Sequence, residues 1–83
     1  MNAIATAATK IEGGQAALAR LLEVSPQAVN QWCRGLRQIP EKHCPAIEAA
    51  TGVRCEAMRP DVVWTRDTAG VVTGYHVRIG SAA

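Results

Sequence analysis

The 83-residue sequence predicts a mainly α fold of four to five short helices, two of them forming a helix-turn-helix, followed by a C-terminal β-hairpin. Three observations carry this. Residues 15 to 34 hold two short helical patterns that meet across Glu23-Val24-Ser25. Gly and Pro punctuate the chain at helix-length intervals up to Pro60. From Asp61 onward the apolar pattern changes from helical spacing to alternation.

The first helix is expected over about Ala3 to Ile11 with Asn2 as its cap, because Ile4, Ala7, Ala8 and Ile11 recur at i, i+3, i+4 and i+7. Gly13-Gly14 ends it. The second helix spans about Gln15 to Leu22. The third starts at Pro26, with Ser25 as N-cap and proline at the first helical position, where a missing N–H costs nothing. It runs to about Arg34, with Gly35 closing it. Leu18, Leu22, Val24, Val29 and Trp32 supply the shared core, and Ala19 sits where the two helices cross closely. Trp32 repeats with Val29 at i+3 and so reads as core, not as a base-stacking platform.

A fourth helix is expected between Pro40 and Gly52, with Ile47, Ala50 and Cys44 facing inward and Pro45 forcing a kink or a separate first turn. A turn of helix over about Cys55 to Arg59 follows, with Met58 sealing the core. Val62 to Arg66 is a β-favouring run, Asp67-Thr68-Ala69-Gly70 a turn, and Val71 to Ile79 a return strand. Strict alternation puts Val71, Thr73, Tyr75, Val77 and Ile79 on one side and Val72, Gly74, His76 and Arg78 on the other. A lone two-stranded hairpin is marginal in water, so this one must pack on the helices, pair with a second chain or stay partly disordered. Gly80 to Ala83 is expected to fray.

Composition narrows the classes. The chain has room for one small core, and its 48% apolar content is mostly small and aliphatic, with no Phe. The net charge of +2 is mild, but Arg20, Arg34, Arg37 and Lys42 fall in or just after the helix-turn-helix, giving a local basic edge. Cys33, Cys44 and Cys55 are odd in number without CxxC spacing, which reads as reduced thiols acting as small hydrophobes in a cytoplasmic protein. His43-Cys44 with Cys33 or Cys55 matches no metal-ligand spacing, so no metal or cofactor is expected. The first residues lack the pattern of a signal peptide, and no stretch approaches the ~20 apolar residues of a membrane span. His43 and His76 have no catalytic partners, and neither a Ser-His-Asp set, a carboxylate pair nor a Gly-rich phosphate loop is present. Catalysis is not expected.

The second helix of the motif presents Gln27, Asn30, Gln31 and Arg34 on one side, and amide and guanidinium groups are suited to base edges. In a helix-turn-helix the early residues of that helix enter the major groove. Gln27, Asn30 and Gln31 are therefore the candidate base contacts. Gln15 opens the preceding helix, where an amide and backbone N–H groups can hold a phosphate. Gln15, Ser25, Arg34, Arg37 and Lys42 are the candidate backbone contacts. Residues 1–60 are assigned as a DNA-binding domain and 61–83 as a tail for dimerisation or partner binding.

Gln15 at the first motif position, Ala19 at the fifth, Ser25-Pro26-Gln27, Val29 and Trp32 resemble the helix-turn-helix of the Cro/cI repressor superfamily. Gly13 to Ala19, Val24 to Val29, Gln31-Trp32 and Arg34-Gly35 are similar to the YdaS-like antitoxin and repressor group. Ile39-Pro40-Glu41, Ile47-Glu48, Ala50-Thr51-Gly52 and Met58-Arg59-Pro60-Asp61 continue the likeness, which covers about Ile11 to Val63. The resemblance implies a lambda-repressor-like domain that binds operator DNA, usually as a dimer, in prophages and related elements. One departure is Glu23 at the turn position often filled by Gly, where φ > 0 is needed. The tail resembles the hairpin through which lambda Cro dimerises. A Cro-type repressor, a homodimer on a palindromic stretch of double-stranded DNA, is the first expectation. An antitoxin that binds a toxin protein and autoregulates is the second.

Overall fold

In the computed structural model, which describes residues 2–77, five helices enclose a small core and a two-stranded antiparallel sheet packs on them. Helix α1 (Ala3–Thr9) starts as expected: the Asn2 side chain accepts from the Ala5 N–H at 2.9 Å. Its amide also donates to the Trp32 carbonyl at 2.8 Å, tying the start of α1 to the end of the third helix. α1 ends two residues short of Ile11, because the Lys10 N–H turns back to Ala7 and the Gly14 N–H to Ile11. Ile11 leaves the helix yet still packs on the core.

Helix α2 (Gly14–Leu22) begins behind Gly13 at φ 92°, and a Cβ there would lie 3.0 Å from that of Ala17. Helix α3 (Pro26–Cys33) is capped by Ser25, whose hydroxyl accepts from the Ala28 N–H at 3.1 Å. Leu18, Ala19, Val29 and Trp32 are buried between these helices and α1, while Leu22 and Val24 pack at the margin.

Pro45 produces the separate first turn. Glu41–His43 is a 3-10 turn, after which α4 (Cys44–Thr51) proceeds with the proline in its first turn, where it breaks no bond. Ala50 is exposed, contrary to the expectation. The buried face of α4 runs through Cys44, Ile47 and the half-buried Thr51, and is rotated toward Glu48 instead. Helix α5 (Cys55–Met58) is one turn, with Cys55 and Met58 inside. Burial pushes the Cys44 and Cys55 thiols up to about 12, so both are neutral hydrophobes at pH 7.

Strands β1 (Val62–Arg66) and β2 (Val72–Val77) pair with Val62 opposite Val77 and Trp64 opposite Tyr75. The alternation predicted for the return strand fails near its start. An irregularity between Thr65 and Arg66 sets Gly74 opposite Thr65 but Val72 opposite Arg66, so one residue is extra and the sides exchange. Val72 thereby packs on the core, as Trp64 does, while the Trp64 and Tyr75 rings meet at a tilt with 5.3 Å between centroids. Val71 stays in the turn and is exposed. The expected extension to Ile79 lies outside the described residues. Among the described residues no helix is long and apolar enough to cross a membrane.

The hairpin is fastened by charge as well as by packing. Arg66 bonds Glu48 at 2.6 and 2.8 Å, Glu56 at 2.7 and 3.1 Å, and the Gly70 carbonyl. The Trp64 indole N–H donates to the Arg59 carbonyl at 3.1 Å.

Candidate nucleic-acid interface

Helix α3 turns about 100° per residue, so Val29 and Trp32 define one side and fix the other. Gln27 and Arg34 fall opposite the buried pair and are exposed. Asn30 and Gln31 flank them, half-buried, and all four lie within about 100° of arc. No side-chain hydrogen bond engages Gln27, Gln31 or Arg34 among the described residues, so their donors and acceptors face solvent uncommitted. Asn30 differs: its amide donates to the Gln15 side-chain oxygen at 3.3 Å, across the α2–α3 crossing.

The presentation of α3 depends on the turn before it. Glu23 adopts φ 58°, ψ 43°, the only positive φ at a non-glycine among the described residues. Its N–H bonds the Arg20 carbonyl at 3.3 Å and the Val24 N–H bonds the Ala19 carbonyl at 3.0 Å, a complete Schellman closure. The chain therefore makes the left-handed turn that the motif needs, but with a residue that must bear Cβ strain.

At its far end α3 closes through Gly35 at φ 74°, with the Leu36 N–H on the Gln31 carbonyl at 2.9 Å. The Arg37 N–H bonds the same carbonyl at 3.4 Å, which starts the exposed Arg37 directly beneath the helix end. Lys42, also exposed, rides on the 3-10 turn whose His43 ring lies 5.6 Å from that of Trp32. Burial there, with Lys42 beside it, holds His43 below the ordinary imidazole value. Ser25 sits at the opposite end of α3 from Arg34 and Arg37, exposed, with its oxygen already accepting the capping bond. The structure thus carries Gln27, Asn30, Gln31 and Arg34 on α3 or at its end and Ser25 at its cap, with Gln15 bonded to Asn30, while Arg37 and Lys42 follow separately in the loop and the 3-10 turn.

Charge is segregated more sharply than the net value of +2 suggests. Glu41 and Asp61 are engaged by Arg59, and Glu48 and Glu56 by Arg66, while Arg54 adds a longer pair with Glu56. Among the described residues Arg20, Arg34, Arg37 and Lys42 enter no ion pair. Four acids outside the motif are thus compensated, whereas the cations around α3, like Glu23 in the turn before it, enter no ion pair among the described residues. The Arg66 guanidinium holds the Glu48 carboxyl down to about 2 and that of Glu56 below its usual range. The Arg59 guanidinium does the same for Asp61.

Sequence reasoning missed Arg59 and Arg66 as organising residues. A signal existed for the first: arginine between the core residue Met58 and Pro60, with Asp61 two positions on. The second gave none, because Glu48 and Glu56 meet Arg66 only in the folded chain.

A family model described as "Bacterial toxin YdaS" matches residues 4–67. A protein of Escherichia coli (strain K12) named "Putative transcriptional regulator YdaS" is 57% identical over 60 residues, covering 70% of this chain. The matched segment spans 61% of that relative's length. No solved structure matches the chain significantly.

Proposed function

This chain belongs to the bacterial toxin YdaS family, and we propose that it is a sequence-specific DNA-binding transcriptional repressor of Cro type. The observation that carries this reading is the bare polar arc of α3: Gln27, Gln31 and Arg34, presented opposite Val29 and Trp32, with side chains that make no hydrogen bond among the described residues. Two recognition helices of a homodimer would enter successive major grooves about 34 Å apart on a palindromic operator. Gln27 and Gln31 would read base edges, with Asn30 contributing from its position beside Gln15. Gln15, Ser25, Arg34, Arg37 and Lys42 would position the protein on the phosphates. Occupancy of a promoter then suffices for repression in the cytoplasm, with no catalysis or cofactor. The relative's name, as a transcriptional regulator, supports the general reading.

Fluorescence anisotropy with the DNA upstream of the chain's own gene, against scrambled competitor at two salt concentrations, tests it. Tight binding that survives competitor supports the repressor. Weak, salt-erased binding to both DNAs removes it. The exposed Val71 and Tyr75 favour a second reading, in which the hairpin docks a toxin protein and DNA binding serves autoregulation. The family's description names a toxin, the opposite member of such a pair. Co-purification of a co-transcribed small protein that is lost in Val71→Lys would support the antitoxin role.

A further inference from the structure

We propose that Arg59 is a positioning residue for the DNA backbone contact, acting by pinning the loop that carries Arg37 and Lys42 beside the end of α3. This rests on the DNA-binding reading above. Arg59 is 7% exposed, and its guanidinium divides its bonds between two tasks. Nε and Nη2 hold the Asp61 carboxylate at 2.9 and 2.8 Å, two residues away in sequence. Nη1 reaches the Ile39 carbonyl at 2.8 Å and Glu41 at 3.1 Å, across 20 and 18 residues. Nε and Nη2 face Asp61, and Nη1 alone reaches the loop.

The loop has little else to fix it. Between α3 and the 3-10 turn, the Leu36 and Arg37 N–H groups both go to the Gln31 carbonyl, and the His43 N–H goes to Pro40. Ile39 is buried, and its carbonyl accepts from Arg59 alone among the described residues. Arg37 lies two residues before that fixed point, and Lys42 directly follows Glu41. Both are exposed and outside every ion pair among the described residues. A backbone held in place before DNA arrives lowers the ordering cost of each phosphate contact.

Glu41→Gln and Asp61→Asn in the full chain separate positioning from plain electrostatics. Each removes one negative charge, so charge alone predicts the same slight tightening for both. Positioning predicts that E41Q binds operator DNA roughly threefold to tenfold more weakly. Its log–log salt slope should shrink by up to about 0.9 for each phosphate that Arg37 or Lys42 no longer neutralises. D61N, which leaves the Nη1 bonds, should not weaken binding. E41Q should have no further effect in an Arg37→Ala, Lys42→Ala background. In the DNA-free protein, amide exchange over residues 36–43 should quicken in E41Q and not in D61N. Equal tightening by both variants, or an E41Q weakening that persists without Arg37 and Lys42, overturns the proposal. A wild-type chain with no operator preference overturns the DNA reading itself, and is told apart because it fails before any variant is compared.

Discussion

The Asn30 amide donates to the Gln15 side-chain oxygen at 3.3 Å, joining α2 and α3 on their polar side as Leu18 and Val29 join them in the core. A bond of this length is weak in isolation, but it orients both groups. On the proposed reading Asn30 is therefore no independent reader: its freedom to meet a base would be coupled to whatever Gln15 meets. Gln15→Ala and Asn30→Ala should each reduce operator affinity by about 0.5–1.5 kcal/mol. The double variant should lose less than the sum, by at least about 0.5 kcal/mol. Anisotropy titrations of the four proteins at one salt concentration measure the coupling, and strict additivity would separate the two roles.

Gln27 is placed differently, exposed at the centre of the arc and bonded to nothing among the described residues. Gln27→Ala should cost roughly 1–3 kcal/mol and relax preference at one base pair. Arg34→Ala should weaken all sequences alike and lower the salt slope by about 1. Competition with operators substituted base by base distinguishes the two patterns. A uniform loss in the Gln27 variant would move that residue to the backbone.

Glu23 holds φ 58° at the turn between these helices, with its N–H bound to Arg20. A side chain with a Cβ costs on the order of 1–2 kcal/mol in that region, while glycine costs nothing there but loses more entropy on folding. The difference favours glycine. Glu23→Gly should stabilise the chain by up to about 1 kcal/mol, raising the melting temperature by about 4–8 °C for a domain of this size. Thermal denaturation followed by circular dichroism measures it. A lower melting temperature would mean that the Glu23 side chain contributes more than its backbone strain costs.

The parts of the fold that were legible in the sequence are those where one residue type has one local reason to be present. Asn2, Ser25, Gly35 and Gly52 stand at helix ends as caps, and Pro45 starts its helix because it cannot continue one. The shared arc of Gln27, Asn30, Gln31 and Arg34 was legible for a related reason, since α3 fixes it once Val29 and Trp32 are known to be buried. Features that depend on register were not. The extra residue in β2 reverses which side Val72 occupies, and nothing in an alternating run marks where it slips. Ala50 was misplaced because period alone cannot say how far a short helix is rotated toward a polar neighbour such as Glu48. The Arg59 and Arg66 clusters draw on residues up to 20 positions apart, and pairing at that range is decided by packing.

The Arg66 cluster makes the attachment of the hairpin depend on acid. Glu48 titrates near 2 in the folded chain, held there first by its bonds to Arg66, and Glu56 is depressed by the same guanidinium. In the unfolded chain both return to the ordinary glutamate value of about 4.3. Their folded values lie below the unfolded ones, so the stabilisation is fully present above the unfolded value and drains away as pH falls from about 4.3 toward 2. Asp61 beside Arg59 acts in the same direction. The melting temperature should accordingly be flat near neutrality and drop steadily across that acid window. Arg66→Ala should start lower at pH 7, because Glu48 is left half-buried without its partner, and should then fall less steeply in acid. Circular dichroism melts of both proteins at pH 7, 4 and 2.5 compare the slopes. Parallel declines would assign the acid sensitivity to carboxylates other than those Arg66 holds.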